Sequence, residues 1–429
     1  MWRAQEKWQN VREMPTLQDW VSALSVPRKV LIESSLELLA EIQAKQIQHD
    51  ASLLAKGRTP PARKPNLALA PGLPPLQDVD VAPIHLLHRL GVVTTPAVPN
   101  LADICSTWAY LRYMWAFELP DGTPDDRLRL SQPARTIDFH QKGLMSDQIG
   151  VGMAALIMSY LFGAPDACDV DVAMGDPAWP IDLVQSSSPD YLFSNTDRSV
   201  LYVVECKGTR CSRNDVVGQL RRGTEQVPSL QFTDGRPPPT ALVIGTQLTE
   251  TGVHVFVIDP PSDGPEADRP RKSGSRDWRI PDAHVFEKAT RDVAQAKVLA
   301  YAAEDEAAAA KMQELRPATP GVRQLIPRKS VVRENRFGVF NGSQDVFPFR
   351  DGVRVGVFQG LETTIRDGYI AGDAERVVAQ TRQLADRLGH AAPEARSVFG
   401  FEREETGAAI ELRSVAPDGT ILELRFSPA

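Results

Sequence analysis

The chain has 429 residues, 42% hydrophobic and 24% charged, enough apolar material for two or three cores. That excludes a disulfide-stapled miniprotein and a disordered chain. The net charge of −7 excludes a protein that coats DNA by bulk positive charge, but allows an enzyme with a local basic patch.

From the N-terminus, MWRAQEKWQN carries charges where a secretory leader would be apolar. Ile32, Leu36, Leu39 and Ile42 recur at helical spacing and predict a helix over 28–55, within an N-terminal helical region, 1–56. Residues 57–75 hold six prolines, so 57–82 reads as a semi-extended linker. Helical texture returns over 83–130, with Asn100 as an expected N-cap. Trp108, Leu111 and Trp115 share a helix face there and read as a packed aromatic stripe rather than a platform for bases. His85 and His88 have no evident third ligand and read as structural or surface residues.

The next unit, 131–316, has the clearest order. A helix is expected over 146–162, opened by Ser146 and closed by Gly163 and Pro165. Strands follow at 169–174, 190–193 and 200–206, then a helix at 213–227, and strands at 241–248 and 253–259. A basic loop, 268–279, leads to one long helix over 283–315. After Pro317 and Pro320, a C-terminal α+β domain is expected over 321–429, with a helix near 373–388 and a hairpin turning at Pro417-Asp418-Gly419. The fold class is therefore an α/β core, a central mixed sheet flanked by helices, between a helical N-terminal region and a C-terminal α+β domain. Cys105, Cys168, Cys206 and Cys211 form no CxxC pair, which fits a reducing cytoplasm. No apolar run is expected to reach the ~20 residues that span a bilayer, so a cytoplasmic protein without a membrane partner is expected.

Chemistry concentrates in SSPDYLFSNTDRSVLYVVECKG, residues 187–208. Residues two apart on a strand share a face, so Glu205 and Lys207 do. If Asp190 opposes Glu205 across an antiparallel pair, Phe193 opposes Tyr202 and Asp190 joins that face. Two carboxylates ~5 Å apart repel by roughly 3 kcal/mol at an effective dielectric of about 20. A hard divalent cation removes that cost. Mg²⁺ suits two carboxylates, water, a substrate phosphate and a carbonyl such as that of Cys206; Mn²⁺ is an expected substitute. Such an ion activates water, and Lys207 would orient it or stabilise developing negative charge. Among the twelve lysines, only Lys207 has an acid two residues before it, and this acid ends the apolar run Val200–Val204, where a charge requires a reason.

These residues, Pro189-Asp190 and Glu205-Cys206-Lys207-Gly208, resemble the PD-(D/E)xK nuclease superfamily over roughly residues 140–250. The resemblance implies a restriction-endonuclease-like core in 131–316, with Asp190 and Glu205 as metal ligands and Lys207 as the catalytic lysine. It also implies an acid on the first core helix, for which Asp147 is the candidate and Gln148 a weaker substitute, and a supporting glutamine after the lysine, Gln219. The tyrosine that the RecB-like branch places four residues later is Gly223 here. Arg210, Arg213, Arg221 and Arg222 form a basic flank for a phosphate backbone, and 268–279 a second cluster. His140 is a remote candidate for a proton shuttle. The implied activity is metal-dependent hydrolysis of nucleic acid, DNA above all, in restriction or phage defence, with a homodimer or partner protein allowed. The alternative is a degenerate nuclease fold that only binds nucleic acid or a protein.

Overall fold

The computed structural model describes residues 16–60, 67–97, 102–170, 172, 189–195, 200–227, 229–232, 240–260, 277–280, 283–315, 329–348, 352–391 and 399–428. Helix α1 (Leu17–Ser25) opens with a capping box between Thr16 and Asp19. The helix expected from residue 28 starts later. Arg28–Glu33 is strand β1, and α2 (Leu36–Ala55) follows behind the cap Ser35. Val30 and Ile32 are both buried, a period of two that suits β-branched residues; Ile32 falls into helical phase with Leu36 and Leu39 by coincidence.

The proline-rich stretch does not run to 82 as a linker either. After the short β2 (Ala68–Leu69), β3 (Leu76–Val81) pairs antiparallel with β1, from Arg28↔Val81 to Glu33↔Leu76. The prolines end at Pro75, so every residue of β3 keeps its N–H donor, and Asp78 and Asp80 are exposed on an edge strand. The N-terminal region is thus part of the central sheet rather than a separate helical unit.

Helices α3 (Pro83–Thr94), α4 (Ala102–Tyr113), α5 (Gln132–Thr136) and α6 (Phe139–Leu161) come next. Asn100 lies outside the described residues. The central sheet continues with β4 (Asp166–Asp169), β5 (Tyr191–Ser194) and β6 (Leu201–Thr209). Helix α7 (Arg213–Gln226) and β7 (Ser229–Phe232) lead to β8 (Thr240–Leu248) and β9 (Val253–Asp259). The first of these strands lies three residues earlier than 169–174; residues 171, 173 and 174 fall outside the description. The spatial order is β3-β1-β9-β8-β6-β5-β4, with β2 beside β9. The central pair β6 and β8 runs parallel, and helices cover both of its faces, so both strands read as near-continuous apolar runs. On one face α6 comes so close that a Cβ on Gly208 would lie 1.9 Å from the Ser146 carbonyl oxygen. On the other, a Cβ on Gly245 would lie 2.8 Å from Leu220 of α7.

Strand β10 (Asp277–Ile280) pairs with β7 in a separate two-stranded sheet. The expected long helix is two, α8 (Ala283–Tyr301) and α9 (Asp305–Leu315). Ala303 turns left-handed at φ 66°, and the Glu304 N–H closes back onto the Leu299 carbonyl, a Schellman-type stop without the glycine that usually signals one. The C-terminal part is a second, curled antiparallel sheet. It holds β11 (Ser330–Asn335), β12 (Gly338–Pro348), β13 (Val353–Glu362), β14 (Gly400–Thr406), β15 (Ala409–Val415) and β16 (Thr420–Pro428), in the order β11-β12-β13-β16-β15-β14. Helices α10 (Thr363–Ala371) and α11 (Ala374–Ala391) connect β13 to β14. The β15–β16 hairpin turns where expected, with Gly419 at φ 89°.

A buried polar seam joins this sheet to α3. His85 and His88 are interior, and each holds Nδ1 near the one hydroxyl of Ser414, at 2.8 and 2.9 Å. Arg89 forms an ion pair with Asp418 at 2.5 Å, both side chains fully buried. Helix α6 departs from the expectation about apolar runs. It is long and apolar enough to cross a membrane, yet 67% of its most apolar window is buried inside the fold.

Candidate active site

The site is built at the start of β5 and the middle of β6, which runs three residues beyond the expected end at 206. Their pairing, Tyr191↔Val204 through Ser194↔Leu201, is the expected register. Extended by one residue, it sets Asp190 opposite Glu205. Asp190 is exposed just ahead of β5, and its Oδ2 accepts the Cys206 N–H at 2.7 Å. The N–H and carbonyl of one strand residue point to the same edge, so the Cys206 carbonyl is directed toward the Asp190 side.

Glu205 is fully buried. Lys207 Nζ pairs with its Oε1, while Oε2 has no hydrogen-bond partner among the described residues. Burial first, and the negative charge of Asp190 second, push the Glu205 carboxyl up to about 7 against the pull of Lys207. Helix α7 presses on it from above. A Cβ on Gly223 would lie 2.5 Å from Val243 and 3.4 Å from Glu205 Cγ, so the tyrosine of the RecB-like pattern has no room here. Gln219 lies one turn before Gly223, half-buried, and its Oε1 also has no hydrogen-bond partner among the described residues.

Helix α6 begins seven residues earlier than expected, at Phe139, with Asp138 as its cap. Ser146 is therefore interior, and its hydroxyl donates to the Lys142 carbonyl at 2.7 Å. Asp147 stands more than two turns into the helix, beyond the reach of the N-terminal dipole. The close Gly208–Ser146 approach carries it to the site instead. Burial raises the Asp147 carboxyl, Lys207 lowers it and Asp190 raises it, so the three share one electrostatic field. Gln148 accepts a hydrogen bond from the Tyr113 hydroxyl.

The basic flank is mostly committed elsewhere. Arg213 forms ion pairs with Glu33 at 2.7 Å and Glu41 at 3.0 Å. Arg221 is buried against Glu225 at 2.7 Å, and Arg210 donates to the carbonyls of Ala134 and Arg135. Arg222 is exposed. These pairings correct the expectation of four arginines turned to phosphate. His140 is exposed within α6, and nothing ties it to the site. Residues 268–276 lie outside the described residues.

The donors near Glu205 are hard oxygens, and a partnerless buried carboxylate oxygen is what a bound cation would satisfy, so the set fits Mg²⁺ or Mn²⁺. Among the described residues, no group of three or more His, Cys, Asp or Glu is gathered closely enough to hold a metal. The fit therefore rests on Asp190, Glu205 and the Cys206 carbonyl, with Asp147 at longer range. Sequence reasoning missed the Tyr113–Gln148 bond and the exposure of Trp108; neither leaves a spacing signal. No protein-family model matches the chain, and no curated protein or solved structure is significantly similar to it.

Proposed function

We propose that this chain is a divalent-metal-dependent nuclease of restriction-endonuclease-like fold that hydrolyses phosphodiester bonds of DNA. One observation carries the reading: Glu205, buried with one carboxylate oxygen unpartnered, shares its strand face with Lys207 and its register with Asp190. Setting aside β7, which belongs to the separate two-stranded sheet, the order α6-β4-β5-β6-α7-β8 with β6 and β8 parallel supports that fold type.

Asp190, Glu205 and the Cys206 carbonyl would hold Mg²⁺ or Mn²⁺, with Asp147 across from them. The ion would lower the pKa of a bound water and offset phosphate charge. Lys207 would orient that water and stabilise negative charge developing on the phosphoryl oxygens. Glu205 keeps Lys207 in place through Oε1, and Gln219, one turn before Gly223 on α7, would supply a supporting amide. A role in restriction or phage defence follows only from what such folds commonly do.

The decisive experiment incubates the full chain with plasmid, linear duplex, single-stranded DNA and RNA, in Mg²⁺ or Mn²⁺ against EDTA. Cleavage that needs metal and disappears in Lys207→Ala, with the circular dichroism unchanged, is the expected result. One observation favours the second reading, a degenerate nuclease fold that only binds. Lys207 closes on Glu205 within β6, and an ion pair that satisfies itself needs no substrate. Binding of DNA with no cleavage under any metal would establish that alternative.

A further inference from the structure

We infer that Trp108, Arg112 and Leu144 form a shelf that stacks the bases of a single DNA strand beside the candidate site. This deepens the nuclease reading and rests on it, because it names an unpaired strand as the substrate class. Spacing grouped Trp108 with Leu111 and Trp115. In the structure Leu111 and Trp115 pack against the core, whereas Trp108 is 57% exposed. One turn along α4, the Arg112 guanidinium lies 5.6 Å from the Trp108 ring centroid and 5.5 Å from that of Tyr113. Its Nη2 donates to Gln141 Oε1 at 2.6 Å, which ties α4 to the first turns of α6. Leu144 continues the surface there, 47% exposed.

The shelf runs into the site. Tyr113, under Arg112, donates its hydroxyl to Gln148, and the neighbouring Asp147 feels the charges of Lys207 and Asp190. From Gln141 to Asp147 the helix rises about 9 Å, the length of two or three stacked nucleotides at ~3.4 Å each.

Charge and shape together select the occupant. A polynucleotide alternates flat apolar rings with phosphates, and the shelf offers an indole, an aliphatic side chain and the Arg112 cation. Bases inside a duplex are already stacked on each other, so a surface indole reaches only an unpaired one. Aromatic stacking of this kind tolerates any base.

The test measures fluorescence anisotropy of fluorescein-labelled dT20 with the full chain in EDTA, beside a 20-base-pair duplex and U20 RNA. Trp108→Ala is expected to weaken dT20 binding about tenfold and duplex binding less than twofold. Trp108→Phe should retain most of the affinity, and Leu144→Ala, on the other helix, should lose about threefold. No dT20 binding by wild type, an unchanged affinity in Trp108→Ala, or an equal loss on duplex overturns the proposal; tighter binding of U20 overturns its assignment to DNA. Cleavage is scored separately. Strand binding that depends on Trp108 without cleavage removes the nuclease reading and keeps the shelf, while cleavage of single strands indifferent to Trp108 does the reverse.

Discussion

Glu205-Cys206-Lys207 on β6 and Glu411-Leu412-Arg413 on β15 each place an acid two residues before a cation. Their surroundings differ. Arg413 donates to Glu423 at 2.7 Å, Glu404 at 2.7 Å, Glu402 at 2.9 Å and to Glu411. Arg425 also pairs with Glu411, at 3.2 Å. Burial opposes the Arg413 charge, yet these carboxylates hold its pKa above the ordinary value. On β6 the balance is reversed. Burial outweighs the single lysine, Asp190 adds repulsion, and one carboxylate oxygen of Glu205 stays unpartnered. Spacing is therefore no marker of chemistry. What the neighbours leave unsatisfied is the marker.

Substitution should separate the two clusters, and the largest effect belongs to the satisfied one. Arg413→Ala strands the buried carboxylates of Glu411 and Glu423 and is expected to cost about 3–5 kcal/mol in urea unfolding, with cleavage per folded molecule unchanged. Lys207→Ala should lower kcat about 10²- to 10³-fold, while buried Glu205, its carboxyl already raised to about 7, takes up a proton in place of the lost cation, so stability falls less than in Arg413→Ala. If the two variants exchange these phenotypes, the distinction drawn between the clusters is wrong.

Much of the central architecture was legible. The apolar runs 191–193 and 200–204 marked the two strands, and supposing that Asp190 faces Glu205 across a short connection gave the register that the pairing Tyr191↔Val204 shows. The start of α6 was missed because Ser146, a good cap by type, outweighed Asp138, whose capping is visible only in its bond to the Gln141 N–H. The fate of the arginines was also hidden. Arg213 meets Glu33 and Glu41 because β1 and α2 come from a distant part of the chain, and no local pattern records that encounter. The same holds for His85 and His88, whose hydrogen-bond partner Ser414 is 329 and 326 residues away.

Those histidines give a pH test of a cluster closed on the neutral form. Burial lowers His85 to about 3, and burial together with Arg89 lowers His88 well below its ordinary value. Their pKa values lie below the ~6.5 of the unfolded chain, so stability is complete above pH 6.5 and falls as pH drops from there toward 3. The slope is about 1.4 kcal/mol per pH unit for each histidine. Ser414 has one proton to donate, so one ring accepts it and the other donates to its oxygen; a second charge has no place beside Arg89. Urea midpoints from pH 7 to 4.5 should show this slope, and His85→Leu/His88→Leu should flatten it. An unchanged slope in the double variant would assign acid sensitivity elsewhere.

The smallest expected effect concerns the exposed cation of the flank. Arg222→Ala removes one surface charge on α7 near the site and should weaken DNA binding two- to threefold at moderate salt, lowering the slope of log affinity against log salt by about 1. Arg213→Ala, four residues from the sheet in sequence but committed to Glu33 and Glu41, should leave that slope unchanged and act on stability instead. Parallel salt titrations of both variants decide the matter, because the electrostatic contribution scales with the number of phosphates neutralised and not with the number of arginines in the segment. A slope that falls only in Arg213→Ala would mean that the Glu33 and Glu41 pairs open when DNA arrives, and the division between partnered and available charge would then have to be redrawn.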